Sequence, residues 1–500
     1  MAWFLLRLGA LCSLAAHVLA GAANVNTSSL LTFPTKPRVF VLSDISNEPD
    51  DQQSLTRYLL YANQFQTEGL VAVTSTWLRD TVYPEDMLHV INAYGKVTGN
   101  LNKHAPPDAQ YPPAEYFRSV LRKGSETYGM TALAPNATLS PGAKLLIQRL
   151  QSNSSQPLWI LAWGGTNVLA QALQHIHSTY SSGRATELRS KLRVYAISDQ
   201  DDTGAWIRTN YPDIFYISST HGWNQYGLAS WIAISGETYY GVEAGAANTT
   251  TVSKPWLREN IQIGPYGSVA YPDYKYIMEG DTPTFLYLIQ NGLGDSENPG
   301  YGSWGGRYSK VNYDYGHWSD AADRVVGLNN ATFKSNYASI WRWREAFQLD
   351  FAARMQWSLP SSNLSARVNH HPVVAVNGNQ SLAPLRITAE TGSTVTLDTT
   401  GTYDPDNDDL TYRWFQYEEP GSDDWNVAGQ VPALELRTFE DGKQVRFDIP
   451  NAETSCNGKG ENPSGCWLLH VILEVRDRGA IPLTTYRRVL VQTTNGTMTE

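Results

Sequence analysis

The segment VLSDISNEPDDQQSL (41–55) places Asp44, Glu48, Asp50 and Asp51 within eight positions, directly after the apolar run RVFVL. Carboxylates this close repel one another. A hard cation is the usual remedy, and calcium takes six to eight oxygen ligands. Helix capping is the competing reading for Asp50 and Asp51, because acids favour the first turn of a helix, but one or two would do for that. A second polar knot, SDQDDTGAW (198–206), carries Asp199, Asp201 and Asp202. Its acids and amide could hold sugar hydroxyls or complete a metal shell; a solvated loop capping the next helix is the alternative. The Gly- and aromatic-rich stretch 294–318 offers Trp304 or Trp318 as a stacking face for a sugar ring and His317 as a general acid. The same composition also suits an ordered surface loop packing its own aromatics. In GTYDPDNDDLTYRW (401–414), Asp404, Asp406 and Asp408 read as a plain acidic turn, although three such oxygens could also bind Ca²⁺.

Groups so far apart in the chain need a scaffold that lines up the ends of several strands. From residue 38 the pattern alternates between continuous apolar runs and helical periodicity. Strands are expected at 38–44, 69–76, 157–165, 191–204 and 213–219, and helices at 52–65, 84–97, 142–151, 166–180 and 282–290. Alternating units of this length predict an α/β fold, a mostly parallel sheet flanked by helices. Its ligands would sit beyond the carboxyl ends of the strands, where the acidic segments fall. After the Trp-rich helix ending at 357, residues 358–372 read as a linker, and short β-type runs over 373–496 predict a small all-β, immunoglobulin-like sandwich.

The first twenty residues combine a basic residue, a short apolar run and a small-residue cleavage site, so 1–20 reads as a signal peptide of a secreted protein. Cys12 leaves with it, and Cys456 and Cys466 remain to pair in an oxidising compartment. Sequons at Asn26, Asn136, Asn153, Asn248, Asn330, Asn363, Asn379 and Asn495 invite glycosylation. The balance of 38 basic against 48 acidic residues, with no basic cluster, argues against nucleic acid. No later apolar run is long enough to span a membrane. The 16 Trp and 28 Tyr lean mildly toward sugar binding.

The opening segment resembles the N-terminal aspartate motif of nucleoside hydrolases, D-x-D-x-x-x-D-D after the first strand. GLVAVTST, ILAWGGTNVLAQAL and MEGDTPTFLYLI resemble that superfamily's second strand, its GGLTN strand–helix junction and its late aspartate segment, over roughly residues 37–350 and in the same order. The DISNEPDD variant and the later NHHPVVAVNG are similar to a secreted family with a nucleoside hydrolase-like domain (37–357), known through a cellulose-binding member. The resemblance implies that Asp51 and Asp281 chelate Ca²⁺ with Asp44 and the Trp163 carbonyl, and that Asp50 and Asn167 contact substrate. The family's second aspartate, its usual base, is Ser46 here, and the histidine before the late aspartate is Gly280. A base would then come from Asp44, Glu48, Asp50 or the 199–202 acids. The expectation is a secreted, calcium-dependent glycosyl hydrolase acting on a carbohydrate or ribosyl substrate; the alternative is a non-catalytic binder of cellulose or another plant cell-wall polysaccharide.

Overall fold

The computed structural model describes residues 25–219, 223–236, 239–312, 315–360, 368–422, 431–456 and 465–495. The expected leader and part of the expected linker lie outside them. Eight strands form one sheet: β1 (Arg38–Ser43), β2 (Gln66–Ala72), β3 (Leu121–Lys123), β4 (Leu158–Ala162), β5 (Leu192–Ser198), β6 (Phe215–Ser219), β7 (Tyr308–Lys310) and β8 (His317–Asp320). Their order is β3-β2-β1-β4-β5-β6-β8-β7, and only β7 runs antiparallel to its neighbour. The central strands β1 and β4 are buried at every position, as continuous apolar runs require when helices cover both faces. Alternate residues feed separate cores: Val39, Val41 and Leu161 face one, and Phe40, Leu42 and Ile160 the other.

Helix α1 (Pro49–Leu60) follows β1 with Pro at its start and Asp50 and Asp51 in its first turn. Helix α2 (Pro84–Gly95) follows β2, and Asn167–Thr179 follows β4. The helix expected over 282–290 is a single turn, Pro283–Leu286. Beyond it the chain tightens into i→i+3 bonds (Leu288 N to Phe285 O, 2.9 Å), and the Gln290 amide is drawn off to Gln64 Oε1 at 3.2 Å. No helix among the described residues is long and apolar enough to cross a membrane.

After a small hairpin, β9 (Asp323–Val326) with β10 (Thr332–Ser335), and the helix Arg344–Trp357, the chain builds two further sheets. One holds β11 (Leu385–Glu390), β13 (Leu410–Gln416), β16 (Leu468–Asp477) and β17 (Thr484–Thr494). The other holds β12 (Thr394–Asp398), β14 (Arg437–Phe439) and β15 (Gln444–Asp448). Leu397, Trp414, Phe447 and Val471 share a core between them, so the C-terminal region is a β-sandwich. Cys456 and Cys466 are disulfide-bonded.

The sandwich packs onto the α/β unit. Ile472, Ile481, Leu483 and Tyr486 join one core of the large sheet. The Tyr417 hydroxyl donates to Asp323 Oδ2 at 2.6 Å, and Asp323 also pairs with Arg307 and Arg342. Backbone bonds cross as well: Tyr486 N to Asn291 O and Arg488 N to Gly292 O, at 2.8 and 3.1 Å.

Candidate metal and glycosyl site

The carboxyl end of β1 delivers Ser43 and Asp44, and a tight turn (Asn47 N to Asp44 O, 3.2 Å) swings the chain into α1. Asp50 and Asp51 then lie at the partly positive end of a helix. The late segment arrives by a separate device. Arg57 and Gln53, both on α1, grip Glu279: Arg57 Nη1 donates to Glu279 Oε2 at 2.9 Å, and the Glu279 amide donates to Gln53 Oε1 at 3.1 Å. The Tyr271 hydroxyl (2.6 Å) and Thr282 Oγ1 (3.0 Å) also donate to that carboxylate. Glu279 is fully buried with φ of 54°. One helix thus carries two acids and also anchors the turn that carries a third.

Asp50, Asp51 and Asp281 converge, one oxygen of each lying within 4.8 Å of the others. All three are buried, and among the described residues none has a salt bridge to Lys or Arg. Ser43 Oγ donates to Asp51 Oδ1, whereas Asp50 Oδ1 and Asp281 Oδ2 are sealed from solvent without a hydrogen-bond partner. Burial, then repulsion by neighbouring carboxylates (Glu48 and Asp44 on Asp50, Asp44 and Asp50 on Asp51, Asp51 and Asp50 on Asp281), holds these three acids well above the ordinary carboxylate range. Asp44 is pushed up to about 6, chiefly by burial, with Ser75 and Asp51 as hydrogen-bond partners. Buried charge without pairing is costly. Orphaned carboxylate oxygens on two chain segments, backed by a third acid, are the donor set that a hard cation takes. The residues present therefore fit calcium.

Two glycines line the cradle. A Cβ on Gly280 would lie 2.8 Å from Asp50 Oδ2 and 3.0 Å from the Trp231 ring, so Trp231 occupies the space a histidine at that position would need. A Cβ on Gly164 would lie 2.8 Å from Asp44 Oδ1. The Trp163 carbonyl accepts from the Gln200 side chain, which leaves it one lone pair, and its indole donates to Thr284 Oγ1 at 2.7 Å. Ser46 has φ of 85°, is exposed, and gives its hydroxyl to Asp86 on α2.

Glu48, at the N-cap of α1, is half-buried and makes no capping bond. Burial raises its pKa, and Lys275 partly opposes that. It is the carboxylate of the group that reaches the rim.

Several expected substrate contacts are committed elsewhere. Asp199 is held by both terminal nitrogens of Arg208, at 2.8 and 2.5 Å. Asp201 accepts from Thr203 N (2.9 Å) and Asn167 N (3.1 Å), capping two helices, and burial pushes it up to about 6. Asp202 is exposed and accepts from Met130 N at 2.8 Å. Asn167 Nδ2 donates to Thr74 Oγ1 and the Thr127 carbonyl, both at 2.9 Å, so it ties loops together. Trp304 is 1% exposed, packed between Phe347 and Tyr486, and is a core residue that no sugar can reach. His317 is in β8, paired with Tyr216 early in β6 rather than at the carboxyl edge, and bonds Ser218 Oγ at 3.0 Å. Burial, then Arg208, lowers it to about 4, which removes it as a general acid near neutrality.

The aromatic face at the carboxylates comes from other segments. Trp77, 53% exposed, meets Tyr226, which meets Trp231. Tyr226 lies within electrostatic reach of Asp44 and Asp281, and Tyr240 of Glu48 and Asp50. Tyr239, stacked edge-on against Tyr240 and Tyr276, extends the face into solvent. The signal was present in the sequence: loops following β2 and β6 must emerge at the carboxyl edge, and both carry Trp or Tyr. A concavity of about 700 Å³ lies elsewhere, at the amino ends of β1 and β4 against Val373 and Tyr403 of the sandwich.

Comparison with known proteins gives these features a context. The family described as "Cellulose-binding Sde182, nucleoside hydrolase-like domain" matches residues 38–308, and "Cellulose-binding protein Sde0182, C-terminal domain" matches 394–493. A solved nucleoside hydrolase-related hypothetical protein from Saccharophagus degradans, described as associated with carbohydrate metabolism, is 31% identical with a TM-score of 0.73, over 92% of this chain and 100% of its own. The effector protein XOO4466 aligns at 13% identity and a TM-score of 0.30, over 65% of this chain and 95% of its own, too remote to bear on the fold. No curated protein matches. Both halves of the chain, in order, and a relative matched along nearly its whole length lead to one conclusion: the protein belongs to the Sde182 family, with its nucleoside hydrolase-like domain and the C-terminal domain that follows it.

Proposed function

We propose that the protein is a secreted glycosyl hydrolase that cleaves a glycosidic bond in a carbohydrate or ribosyl substrate with the help of calcium held by Asp50, Asp51 and Asp281. The observation that carries this reading is the pair of buried, unpartnered oxygens, Asp50 Oδ1 and Asp281 Oδ2, facing a third acid. Calcium bound there would supply Lewis acidity and a fixed locus for a sugar diol and a water. Asp44 and the free lone pair of the Trp163 carbonyl are available to complete the shell. Glu48 is the group placed to take a proton, because it alone of the cluster is half-open to solvent and its raised pKa brings it nearer the operating pH of a general base. Trp77, Tyr226 and Tyr240 offer flat faces for sugar rings, and the exposed mouth suits a polymeric carbohydrate, in line with the cellulose-binding name of the family. Extracellular destination and N-glycosylation belong to the same proposal. Of the described sequon asparagines, Asn26, Asn136, Asn153, Asn330, Asn379 and Asn495 are exposed and Asn248 half-buried.

The test is sugar release from a panel of glycans and nucleosides, with and without chelator. Activity should vanish in EDTA, return with calcium, and fall at least 100-fold in Asp51→Ala and Glu48→Gln. An Asp51→Ala protein that works at the wild-type rate defeats the proposal. Ser46 supports a second reading, a non-catalytic carbohydrate binder: a serine in a left-handed turn, its hydroxyl committed to Asp86, stands where the superfamily's base would be. That reading expects retention on insoluble polysaccharide with no soluble product, and weakened retention in Trp77→Ala.

A further inference from the structure

We propose a second calcium site, in the β-sandwich, formed by Asp404, Asp406 and Asp408 and coupled to the docking of the sandwich on the α/β unit. One oxygen of each carboxylate lies within 4.8 Å of the others. An acidic turn on a surface needs no ion, but this one is not all surface. Asp404 is only 8% exposed. Its Oδ1 accepts from Asp406 N and Asp408 N at 2.8 and 3.0 Å, which closes the turn. Its other oxygen, Oδ2, is shut off from solvent and has no hydrogen-bond partner. A buried carboxylate oxygen left without a donor costs the desolvation of that atom, and the neighbours here make matters worse. Asp406 and Asp477 both act on Asp404 as like charges. Asp477 does not relieve the orphan, because its own oxygens accept from Asn369 Nδ2 (2.7 Å), Gly479 N (2.9 Å) and Leu483 N (3.0 Å). The ligands present are all hard oxygens, the set that calcium prefers.

The site would do more than neutralise a turn. Asp406 accepts from the His370 backbone amide at 2.7 Å and lies 2.9 Å from its ring Nδ1. His370 in turn stacks on Trp357, the last residue of the helix Arg344–Trp357, with centroids 5.4 Å apart, and its Nε2 is 3.1 Å from His104 Nδ1. An ion that fixes Asp406 therefore fixes the seam between the two units, through ligands that begin 123 residues in sequence beyond Asp281, the last ligand of the strand-edge site.

The experiment is equilibrium dialysis of the EDTA-stripped full chain against ⁴⁵CaCl₂, with thermal unfolding in parallel. Asp51→Asn serves as background, to remove the contribution of the strand-edge acids. Adding Asp404→Asn should abolish one bound equivalent, with dissociation constants in the range of about 10⁻⁴–10⁻³ M typical of extracellular modules. Asp408→Asn, at a half-buried position with no buried oxygen to orphan, is the milder variant and should weaken that equivalent at least tenfold while circular dichroism stays native. Calcium should raise the unfolding midpoint of Asp51→Asn and fail to raise that of the double variants. If Asp51→Asn and Asp51→Asn/Asp408→Asn bind the same number of ions equally tightly, the sandwich site is refuted. The strand-edge reading is judged separately, by the equivalent lost between wild type and Asp51→Asn.

Discussion

Asp281→Asn should make the calcium-free protein more stable, the reverse of what removing a well-packed buried residue usually does. Asp281 Oδ2 has no partner to lose, and its carboxylate sits within 4.8 Å of those of Asp50 and Asp51. Two like charges at that distance repel by about 3 kcal/mol at an effective dielectric of about 20. The protein can escape by protonating, which from an ordinary value near 4 costs about 4 kcal/mol at pH 7, at about 1.4 kcal/mol per unit. The cheaper route sets the penalty, so the substitution should return about 1–4 kcal/mol. For a domain of this size that is roughly 2–8 °C in unfolding midpoint. The assay is thermal unfolding in EDTA at pH 7, repeated with millimolar calcium. Wild type should gain strongly from calcium; Asp281→Asn should start higher and gain little. The pH dependence carries the same sign. Asp281 in the folded state holds its proton above the unfolded value, so the calcium-free wild type gains stability as pH falls toward about 4 and the advantage of the variant shrinks. An Asp281→Asn protein that is less stable in EDTA, or that keeps the full calcium response, would refute the reasoning.

The remaining expectations concern the supports of the site. Arg57→Met leaves the buried Glu279 carboxylate with its Tyr271 and Thr282 donors but without its counter-charge; it should cost about 3–5 kcal/mol by denaturant unfolding and weaken calcium binding, because the turn bearing Asp281 loses its ion-pair anchor. Trp304→Ala should cost about 3–5 kcal/mol without altering saccharide affinity, whereas Trp77→Ala, at a 53% exposed position, should leave the midpoint unchanged and weaken affinity about 3–10-fold by titration, the worth of one aromatic contact. Below about pH 6.5 the unfolded chain protonates histidines that the folded chain keeps neutral: His104, lowered to about 3 by burial and His370, and His470, lowered by burial and Arg488. Stability from these groups is therefore lost as pH falls from about 6.5; His470→Gln, which keeps an acceptor for Arg488, should flatten that loss in denaturant melts.

The acids that converge were legible for two different reasons. An apolar strand buried on both faces must end at the sheet edge, so Asp44 and the first turn of α1 had to lie there, whereas Asp281 was found only through the resemblance of its segment to the nucleoside hydrolase late aspartate. What misled was composition. Asp199 looked like a site acid, yet Arg208, nine residues on, takes both its oxygens. Asp201 two residues before Thr203 is a local turn that caps a helix. Trp304, in a loop rich in Gly and aromatics, had every outward mark of a sugar platform. Its burial depends on Tyr486, 182 positions later, arriving with the docked sandwich, and no local pattern encodes that.

The same docking bears on the choice between hydrolase and binder. Among the described residues, no sandwich side chain is hydrogen-bonded or ion-paired to the strand-edge acids; contacts reach the α/β unit through Asp323, Arg488 and the seam at His370. Deleting it would therefore expose the core face that Ile472, Ile481 and Leu483 cover before it removed any group from the site. A truncation that abolished polysaccharide retention could then report unfolding rather than a lost binding surface. Point changes at the mouth, Trp77→Ala against Glu48→Gln, divide the two readings cleanly. If the hydrolase reading holds, Glu48→Gln ends turnover and spares retention. If the binder reading holds, Glu48→Gln changes neither and Trp77→Ala alone weakens retention of the polysaccharide.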